Sequence, residues 1–487
     1  MFGALILLAI LVPMLSGVAI KFLKTDRNTA AKISLACLAG GAACALMSLL
    51  SKSGAQFTLL QLTENVSIRF ALDGMSRFYI VLVCCAWLMV GLYAWEYTEH
   101  DENAVSFFRY YLLSFGALMG LSAAANLITL YMFYELMTLL TVPLVAHNRD
   151  RQAVSAAIKY LLYSVFGASA ALLGIFFVSA WAGTTQFSAG GVFGPEVLSA
   201  HASALRIIFF IMILGFGVKA GMFPMHSWLP TAHPVAPAPA SAVLSGVITK
   251  MGVLGIIRTV YYISGSSFLR GSWVQYAFMT LTLITVVMGS TLAFKEKQFK
   301  KRLAYSTVSQ VSYVLFGLST MTRAGFIGAC LHIVFHSLIK NTLFMSAGAV
   351  IHKTELTQID DLKGIGKRMP LTMTLFTVAS LGLIGIPPTG GFVSKWNLAQ
   401  GALGMNVAAN WIGPACLLLS AILTAAYLLS VSIRAFYTGE EEISQPKCEV
   451  SWKMLVPMGL FALLSVVLGM FPSSLISFFG NIAAAIF

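Results

Sequence analysis

Five ionisable side chains interrupt runs of the sequence that are otherwise apolar. They are Glu135, Lys219, Lys250, Lys340 and Lys395. Each costs about 2.5–3.5 kcal/mol when a membrane helix carries it at its centre, so the five together cost roughly 12–17 kcal/mol. A cost of that size indicates that the charges are used. We expect them to face the interior of a helix bundle and to pair there.

Glu135 is the only acidic residue in the middle of an apolar run, and its natural partner is a buried lysine. An ion pair favours the charged forms of both groups, whereas burial favours their neutral forms. A lysine held between these two influences changes its charge when its partner moves, which is what proton transfer requires. The alternative is an ion pair with a purely structural role.

His332, His336 and Lys340 follow one another at intervals of four residues in a single apolar run. This spacing places all three on one face of a helix. Imidazoles titrate near neutral pH, so a row of them next to lysines can relay protons along a file of water. Two alternatives remain open: a structural polar stripe between helices, and a metal site, for which the sequence offers no third ligand.

Residues 216–234 combine Lys219 with two histidines, His226 and His233, among several prolines, and Lys250 follows in the next apolar run. Proline removes an amide donor and disrupts a helix, so this segment predicts a break in a spanning helix. Each histidine either lines a channel or bonds to carbonyl groups that the prolines leave free. The sequence leaves both open.

The composition is that of a membrane protein. Of 487 residues, 58% are hydrophobic and 10% are charged, and the mean hydropathy is +0.84, whereas soluble domains carry about 25% charged residues. Many apolar runs are long enough to cross a hydrocarbon core of roughly 30 Å. We predict an all-α polytopic protein, one membrane domain over residues 1–487, with about fourteen spans. The predicted spans are 2–22, 31–52, 72–96, 106–124, 125–146, 156–182, 205–227, 240–262, 273–294, 303–320, 324–351, 371–398, 408–437 and 453–479.

Basic residues cluster in loops that follow odd-numbered spans, so these loops share one side of the membrane. They are Lys21, Lys24, Arg27, Lys32, Arg149, Arg151, Lys159, Lys295, Lys297, Lys300, Lys301, Arg302, Lys353, Lys363, Lys367 and Arg368. Loops rich in lysine and arginine stay in the cytoplasm. We therefore expect both termini outside, in the plasma membrane of a prokaryote. The net charge of +13 reflects this topology and not a nucleic-acid partner.

Predicted spans 7 and 12 are both broken, the second by Gly-Ile-Pro-Pro-Thr-Gly-Gly at residues 385–391. Paired broken helices are typical of transporters built from inverted repeats. The repeats would be residues 106–262 (spans 4–8) and 273–437 (spans 9–13), because five helices per unit make successive units point opposite ways. The alternative is two ordinary proline kinks.

No cofactor or metal motif accompanies these charges. The seven cysteines include no C-x-x-C pair and no cluster with histidine at metal-ligand spacing. All but Cys448 lie in apolar runs, which is typical of core packing. We expect no cofactor and no bound metal.

A long motif around the first break resembles a known family, the antiporter-like subunits of respiratory complex I, membrane-bound hydrogenases and Mrp-type cation/proton antiporters. The resemblance covers roughly residues 70–440. The motif is Lys219-x4-Pro224-x-His226-x-Trp228-Leu229-Pro230-x-Ala232-His233, followed by Ala236-Pro237, Ser241-Ala242 and Lys250-x-Gly252.

The resemblance implies a role for each buried charge. Glu135 resembles the family's span-5 glutamate, and Lys219 the span-7 lysine that pairs with it. Lys250 resembles the central lysine of span 8. His332 and His336 resemble the relay histidines of span 11. Lys395 stands where members carry a terminal lysine or glutamate; the lysine favours the Mrp D-type and the lysine-bearing complex I branches, whereas Ser394 before it departs from many D-type sequences.

The implied function is proton translocation through this relay, with His226, His233 and Lys340 as secondary candidates. The driving event would lie in partner membrane subunits, either redox chemistry in an NADH:quinone oxidoreductase or hydrogenase, where this chain would be a non-catalytic pumping subunit, or a sodium flux. The alternative is the D-type subunit of an Mrp Na⁺/H⁺ antiporter, without any redox step. A permease for organic solutes fits less well, because its binding pocket would carry few charges, whereas lysines and histidines are spread over several spans of this chain.

Overall fold

The computed structural model describes residues 1–22, 26–63, 66–405, 407–437 and 446–487, so Lys24 lies outside the described residues. Over these ranges the chain is mostly helical. The helices are α1 (Phe2–Ala19), α2 (Arg27–Ser48), α3 (Gly74–Tyr97), α4 (Ala104–Ser122), α5 (Leu127–Val145), α6 (Arg151–Ala182), α7 (Pro195–Ala200), α8 (Ala202–Ala220), α9 (Leu229–Val235), α10 (Ala238–Val243), α11 (Thr249–Ile257), α12 (Ser266–Leu269), α13 (Trp273–Lys295), α14 (Phe299–Ser319), α15 (Arg323–Thr354), α16 (Ile365–Arg368), α17 (Pro370–Ile384), α18 (Gly390–Leu403), α19 (Ile412–Phe436), α20 (Trp452–Met470) and α21 (Ser473–Ile486).

Twelve of the described helical segments are long and apolar enough to cross a membrane. They correspond to predicted spans 1–9, 11, 13 and 14. Predicted span 10 is α14, which is less apolar because hydroxyl and amide side chains run along it, and predicted span 12 is divided between α17 and α18. The chain is therefore a polytopic helical membrane protein, as predicted, while the total of fourteen spans stays a prediction.

Two predicted boundaries had different outcomes. The separation of spans 4 and 5 is confirmed, because Asn126 caps α5 by accepting a hydrogen bond from the backbone nitrogen of Thr129 at 2.7 Å. The prediction of one continuous last span over 453–479 is wrong. There α20 ends at Met470 and α21 begins at Ser473. Pro472 stands between them and cannot donate the amide hydrogen bond that a continuous helix needs.

Both predicted breaks are present. The helix α8 ends at Gly221, whose φ of +77° is left-handed, and the chain turns before α9. The helix α17 ends at Gly385, whose φ of +90° is also left-handed, and α18 follows. Glycine reaches this conformation without the steric cost of a side chain, and it ends a helix cleanly for that reason.

The segment that carries Lys250 is less regular than the sequence predicted. π-helical turns at Leu244–Ile248 and Arg258–Ile263 flank α11 on both sides. Such turns widen a helix by one residue, and they are frequent at functional sites. Every residue of the spanning window is buried inside the protein, so Lys250 lies in the interior and not against lipid.

A small antiparallel sheet is the one departure from the predicted all-α fold among the described residues. The strands β1 (Gln56–Gln61) and β2 (Ser67–Ala71) form a hairpin between α2 and α3. The side-chain amide of Asn126 donates to the carbonyl oxygen of Ser67 at 2.9 Å, which joins the hairpin to the start of α5.

The helix α15 runs through the centre of the protein. Its side chains are buried from Gly325 to Val350, and it packs against α14, α17, α18 and α20. His332, His336 and Lys340 all lie on this helix, so packing positions them from every side.

Candidate functional site

Lys219 lies in a cage of hydroxyl groups. Its Nζ donates hydrogen bonds to Thr138 Oγ1 at 2.8 Å, Tyr160 OH at 3.0 Å and Ser164 Oγ at 2.9 Å. Thr138 belongs to α5 and the other two to α6, so three helices meet at this amine. The lysine is fully buried, and its three ammonium hydrogens each find an acceptor. Neutral oxygens therefore hold this residue.

Glu135 makes no salt bridge to Lys219 in this structure, and the pairing of the two residues stays a prediction. Glu135 lies one turn before Thr138 on α5, half-buried on a flank that also carries the exposed side chains of Met132 and Leu139. The rotation of α5 turns Thr138 toward Lys219 and Glu135 toward the outer surface. Without a direct contact, the carboxylate can influence Lys219 only through its charge.

Lys250 is joined directly to the histidine row. Its Nζ lies 2.6 Å from His336 Nδ1 and also donates to the carbonyl oxygen of Ser245 inside the first π-helical turn. The rings of His336 and His332 are stacked with their centroids 5.9 Å apart. Lys250 and His336 can therefore exchange a proton without any intervening group.

The row continues from His332 to Lys395. His332 Nδ1 lies 2.9 Å from Ser394 Oγ, and its ring stacks on Tyr313 at 5.5 Å. Lys395 Nζ lies 5.1 Å from the centre of the same tyrosine ring. Tyr313 and Ser394 thus connect two candidates that the sequence could only place on different helices. The sequence offers little indication of a role for these two residues, because buried tyrosine and serine are common in helix packing.

Lys395 is held by the end of the broken helix beside it. Its Nζ donates to the carbonyl oxygens of Leu383 at 2.7 Å and Ile384 at 2.8 Å, which are the last residues of α17. The carbonyl end of a helix carries partial negative charge and favours a cation. The end of α17 therefore places partial negative charge next to the ammonium group of Lys395, without a carboxylate.

Lys340 and His233 both lie close to the ring of Phe344. Lys340 Nζ donates to the carbonyl oxygen of Leu303 at 2.9 Å and to the hydroxyl of Ser306. The ring of Phe344 lies 5.8 Å from that ammonium and 4.7 Å from the centre of the His233 ring. His233 is fully buried, and neither of its ring nitrogens has a hydrogen-bond partner in the protein.

His226 lies apart from this row. It is half-buried in the turn after Pro224, and its ring faces Phe223 with centroids 6.2 Å apart. Its Nδ1 has no partner in the protein. The structure thus brings the other candidates on α11, α15 and α18 together and leaves His226 near the edge of the first break.

Neutral acceptors hold the four candidate lysines Lys219, Lys250, Lys340 and Lys395. Among the described residues, no salt bridge joins Lys219, Lys250, Lys340 or Lys395 to a carboxylate. A carboxylate partner would keep an ammonium charged, whereas a carbonyl or hydroxyl favours the charge less strongly. Such lysines can gain and lose a proton more readily, which suits them to proton transfer.

Comparison with known proteins places the chain in context. Residues 124–424 match the protein family described as NADH:quinone oxidoreductase/Mrp antiporter, TM. The N subunit of the NADH-quinone oxidoreductase of Desulforudis audaxviator is 30% identical over 97% of this chain and 96% of its own length. The D subunit of the Na⁺/H⁺ antiporter of Bacillus subtilis is 26% identical over 96% of this chain and 93% of its own. In the Mrp complex of Dietzia sp., one solved chain superposes with a TM-score of 0.87 at 21% identity, over 100% of this chain and 97% of that one.

Proposed function

Because the chain belongs to the NADH:quinone oxidoreductase/Mrp antiporter membrane family, we propose that it conducts protons through its buried row of lysines and histidines. It is an antiporter-like membrane subunit, and its work is done within a larger complex. The residues that we assign to proton transfer are Glu135, Lys219, Lys250, His332, His336 and Lys395, with His226, His233 and Lys340 in secondary positions.

The contact between Lys250 and His336 carries this proposal. A lysine and an imidazole at 2.6 Å share one hydrogen, so protonation of one opposes protonation of the other. A proton that arrives at Lys250 displaces the shared hydrogen toward His336. The stacked ring of His332 and the hydroxyl of Ser394 then lead to Lys395 at the second break.

Unpartnered polar atoms mark where water would complete the path. Both amide atoms of Gln310 and of Asn341 are buried without a partner in the protein, as are Nε2 of His332 and of His336. Buried polar groups are costly without a hydrogen bond, and internal water commonly satisfies them. We propose that water joins these groups to the row.

Glu135 would act on Lys219 by its charge from the surface of α5. A carboxylate in that place favours the ammonium form of Lys219, and its protonation removes that influence. Because Glu135 is partly exposed on the outer flank of α5, a neighbouring subunit could shift this balance. The Lys219 cage would then load and release protons as the surface charge changes.

We propose that residues 106–262 and 273–437 are the two inverted repeats of the single membrane domain. Support comes from the two broken helices, each ended by a left-handed glycine. Each break would bring one half-channel to the central row. The basic loops favour a cytoplasmic position for the loop after α3, the loop after α5 and the start of α14, with both termini outside a prokaryotic plasma membrane.

The partners supply the driving force. The relatives are subunits of an NADH-quinone oxidoreductase and of an Na⁺/H⁺ antiporter, so redox chemistry or sodium flux in other subunits would drive the protons. The antiporter alternative has its own support, because the D subunit of that antiporter aligns over 96% of this chain. Purification of the complex and identification of its other chains separates the two.

The direct test is proton transport by the assembled complex carrying Lys219→Ala or Glu135→Ala. We expect Lys219→Ala to abolish transport and Glu135→Ala to slow it. Assembly is checked by the recovery of partner subunits. Transport near the wild-type rate in both variants would overturn the proposed relay.

A further inference from the structure

A cavity of about 380 Å³ opens among the loops at the end of the protein that we assign to the cytoplasm. It lies beside the residues that separate α9 from α10, and several titratable side chains line it. These are Tyr97, His100, Asp101, His147, Lys300 and His352. Of these, the sequence had singled out only Lys300, as one of the basic loop residues.

Asp101 and His147 form a close pair in this cavity. His147 Nε2 and Asp101 Oδ2 are 2.5 Å apart, and the side chain of His147 is 5% exposed while that of Asp101 is 26% exposed. Burial raises the pKa of the Asp101 carboxyl, but the hydrogen bond and charge of His147, together with the backbone of Asn103 and the charge of Arg149, hold that pKa below its ordinary value. The pair thus holds a carboxylate and an imidazole at the boundary with water.

Lys300 points inward, unlike its neighbours in the sequence. Its side chain is buried, and its Nζ donates to the carbonyl oxygen of Pro234 at 3.3 Å and to that of Ala236. By contrast, the side chain of Lys297 is 78% exposed, and Lys301 pairs with Glu296 at 2.8 Å. Lys300 therefore resembles the buried lysines of the row, each of which is held by neutral acceptors, and not the loop cations around it.

His233 lies between this lysine and the central row. It immediately precedes Pro234, whose carbonyl Lys300 contacts, and its ring packs on Phe344, a ring that also lies near the ammonium of Lys340. Both of its ring nitrogens are buried and unpartnered in the protein. An imidazole in this place can accept a proton on one nitrogen and release one from the other.

We propose that this cavity is a proton-loading vestibule, in which the Asp101–His147 pair takes up protons from water and Lys300 passes them through His233 to Lys340. The inference rests on the proposed function and adds the entry point to it. Each transfer moves one proton from a protonated donor to an unprotonated acceptor, and no other bond changes. Tyr97, His100 and His352 face the same space, Arg149 acts on Asp101 by charge, and Glu96 and Glu99 act on His352.

The first test compares two lysines three residues apart in proteoliposomes that contain the purified complex. Lys300→Gln is expected to lower the initial rate of proton transport at least tenfold, and the exposed control Lys297→Gln to stay within twofold of wild type. Lys219→Ala reports on the relay itself. If Lys300→Gln transports like wild type while Lys219→Ala does not, the vestibule is wrong and the relay stands. If both transport normally, the proposed function fails with it.

The second test uses the pH profile and also serves if Lys300→Gln does not assemble. A proton-collecting group matters most when protons are scarce. Asp101→Asn and His147→Gln should therefore lose about tenfold more of the rate at alkaline than at acidic cytoplasmic pH, relative to wild type. A purely structural role for the pair would lower the rate by the same factor at every pH, and that result would overturn the proposal.

Discussion

Tyr160→Phe removes one of the three hydroxyl groups that hold Lys219 and leaves the rest of the cage in place. The ring stays packed on Trp228, where the centroids are 4.8 Å apart. Thr141 loses its contact with the phenol at 2.8 Å but keeps its bonds to two backbone carbonyls. The substitution is therefore expected to leave assembly intact and to change mainly the acceptors around one ammonium group.

The magnitude follows from the hydrogen bond that is lost. A hydrogen bond to a charged group contributes about 1.5–3 kcal/mol, so the charged form of Lys219 becomes roughly 10- to 150-fold less favoured, since about 1.4 kcal/mol corresponds to a factor of ten. If loading of Lys219 limits transport, the rate falls by at least the lower of these factors. The assay is the initial rate of proton transport in proteoliposomes, per assembled complex.

Tyr163→Phe is the matched control. Tyr163 lies three residues further along α6, and its hydroxyl contacts Ser227 Oγ at 2.8 Å instead of Lys219. Both variants lose one phenol oxygen from the same helix. We expect Tyr163→Phe to stay within twofold of wild type. Equal rates for the two variants would refute the role assigned to the hydroxyl cage.

Three further predictions follow from other contacts. Ser394→Ala removes the hydrogen-bond partner of His332 Nδ1 and should slow proton transport about tenfold. The control Ser380→Ala loses only a hydrogen bond within its own helix, at 2.8 Å, and should not slow transport. Equal transport rates for the two variants would argue against Ser394 as a link. Arg258→Met breaks the ion pair with Asp73, in which the arginine side chain is 1% exposed and the aspartate side chain 34% exposed. The free energy of unfolding, measured by denaturant titration, should fall by about 1–3 kcal/mol, which is less than for a fully buried pair because the aspartate is partly solvated. An unchanged free energy of unfolding would contradict this. Because the pKa of Asp101 is lowered in the folded protein, its pair with His147 stabilises the folded state above the ordinary aspartate pKa of about 3.9, and this stabilisation is lost as the pH falls through the folded pKa. The unfolding temperature should therefore fall between pH 6 and pH 3, and it should fall less in Asp101→Asn. Identical pH dependence in the two proteins would refute this.

The sequence predicted the helices and the breaks because both depend on local composition. Long apolar runs require spanning helices, and the glycines and prolines around Gly221 and Gly385 cannot continue one. The predicted boundary between spans 106–124 and 125–146 lies next to Asn126, which the structure shows to be a helix cap. Local chemistry alone was sufficient for these features.

The rotation of each helix could not be predicted in the same way. Glu135 and Thr138 are one turn apart, and only packing decides which of them meets Lys219. Lys300 stands among exposed loop cations in the sequence, yet its long side chain reaches inward to the carbonyl of Pro234 near the end of α9. The π-helical turns around Lys250 and the hairpin before α3 also depend on long-range contacts. These features set the geometry of the site.

The most direct measurement of the central claim is proton transport by the assembled complex carrying His336→Ala. This change removes the ring between Lys250 and His332 and so interrupts the row at its closest contact, 2.6 Å. His201→Ala is the control, because that exposed ring stacks on Trp181 away from the row. The account predicts a loss of transport of at least tenfold for His336→Ala and none for His201→Ala. Transport at the wild-type rate by fully assembled His336→Ala complex would contradict it.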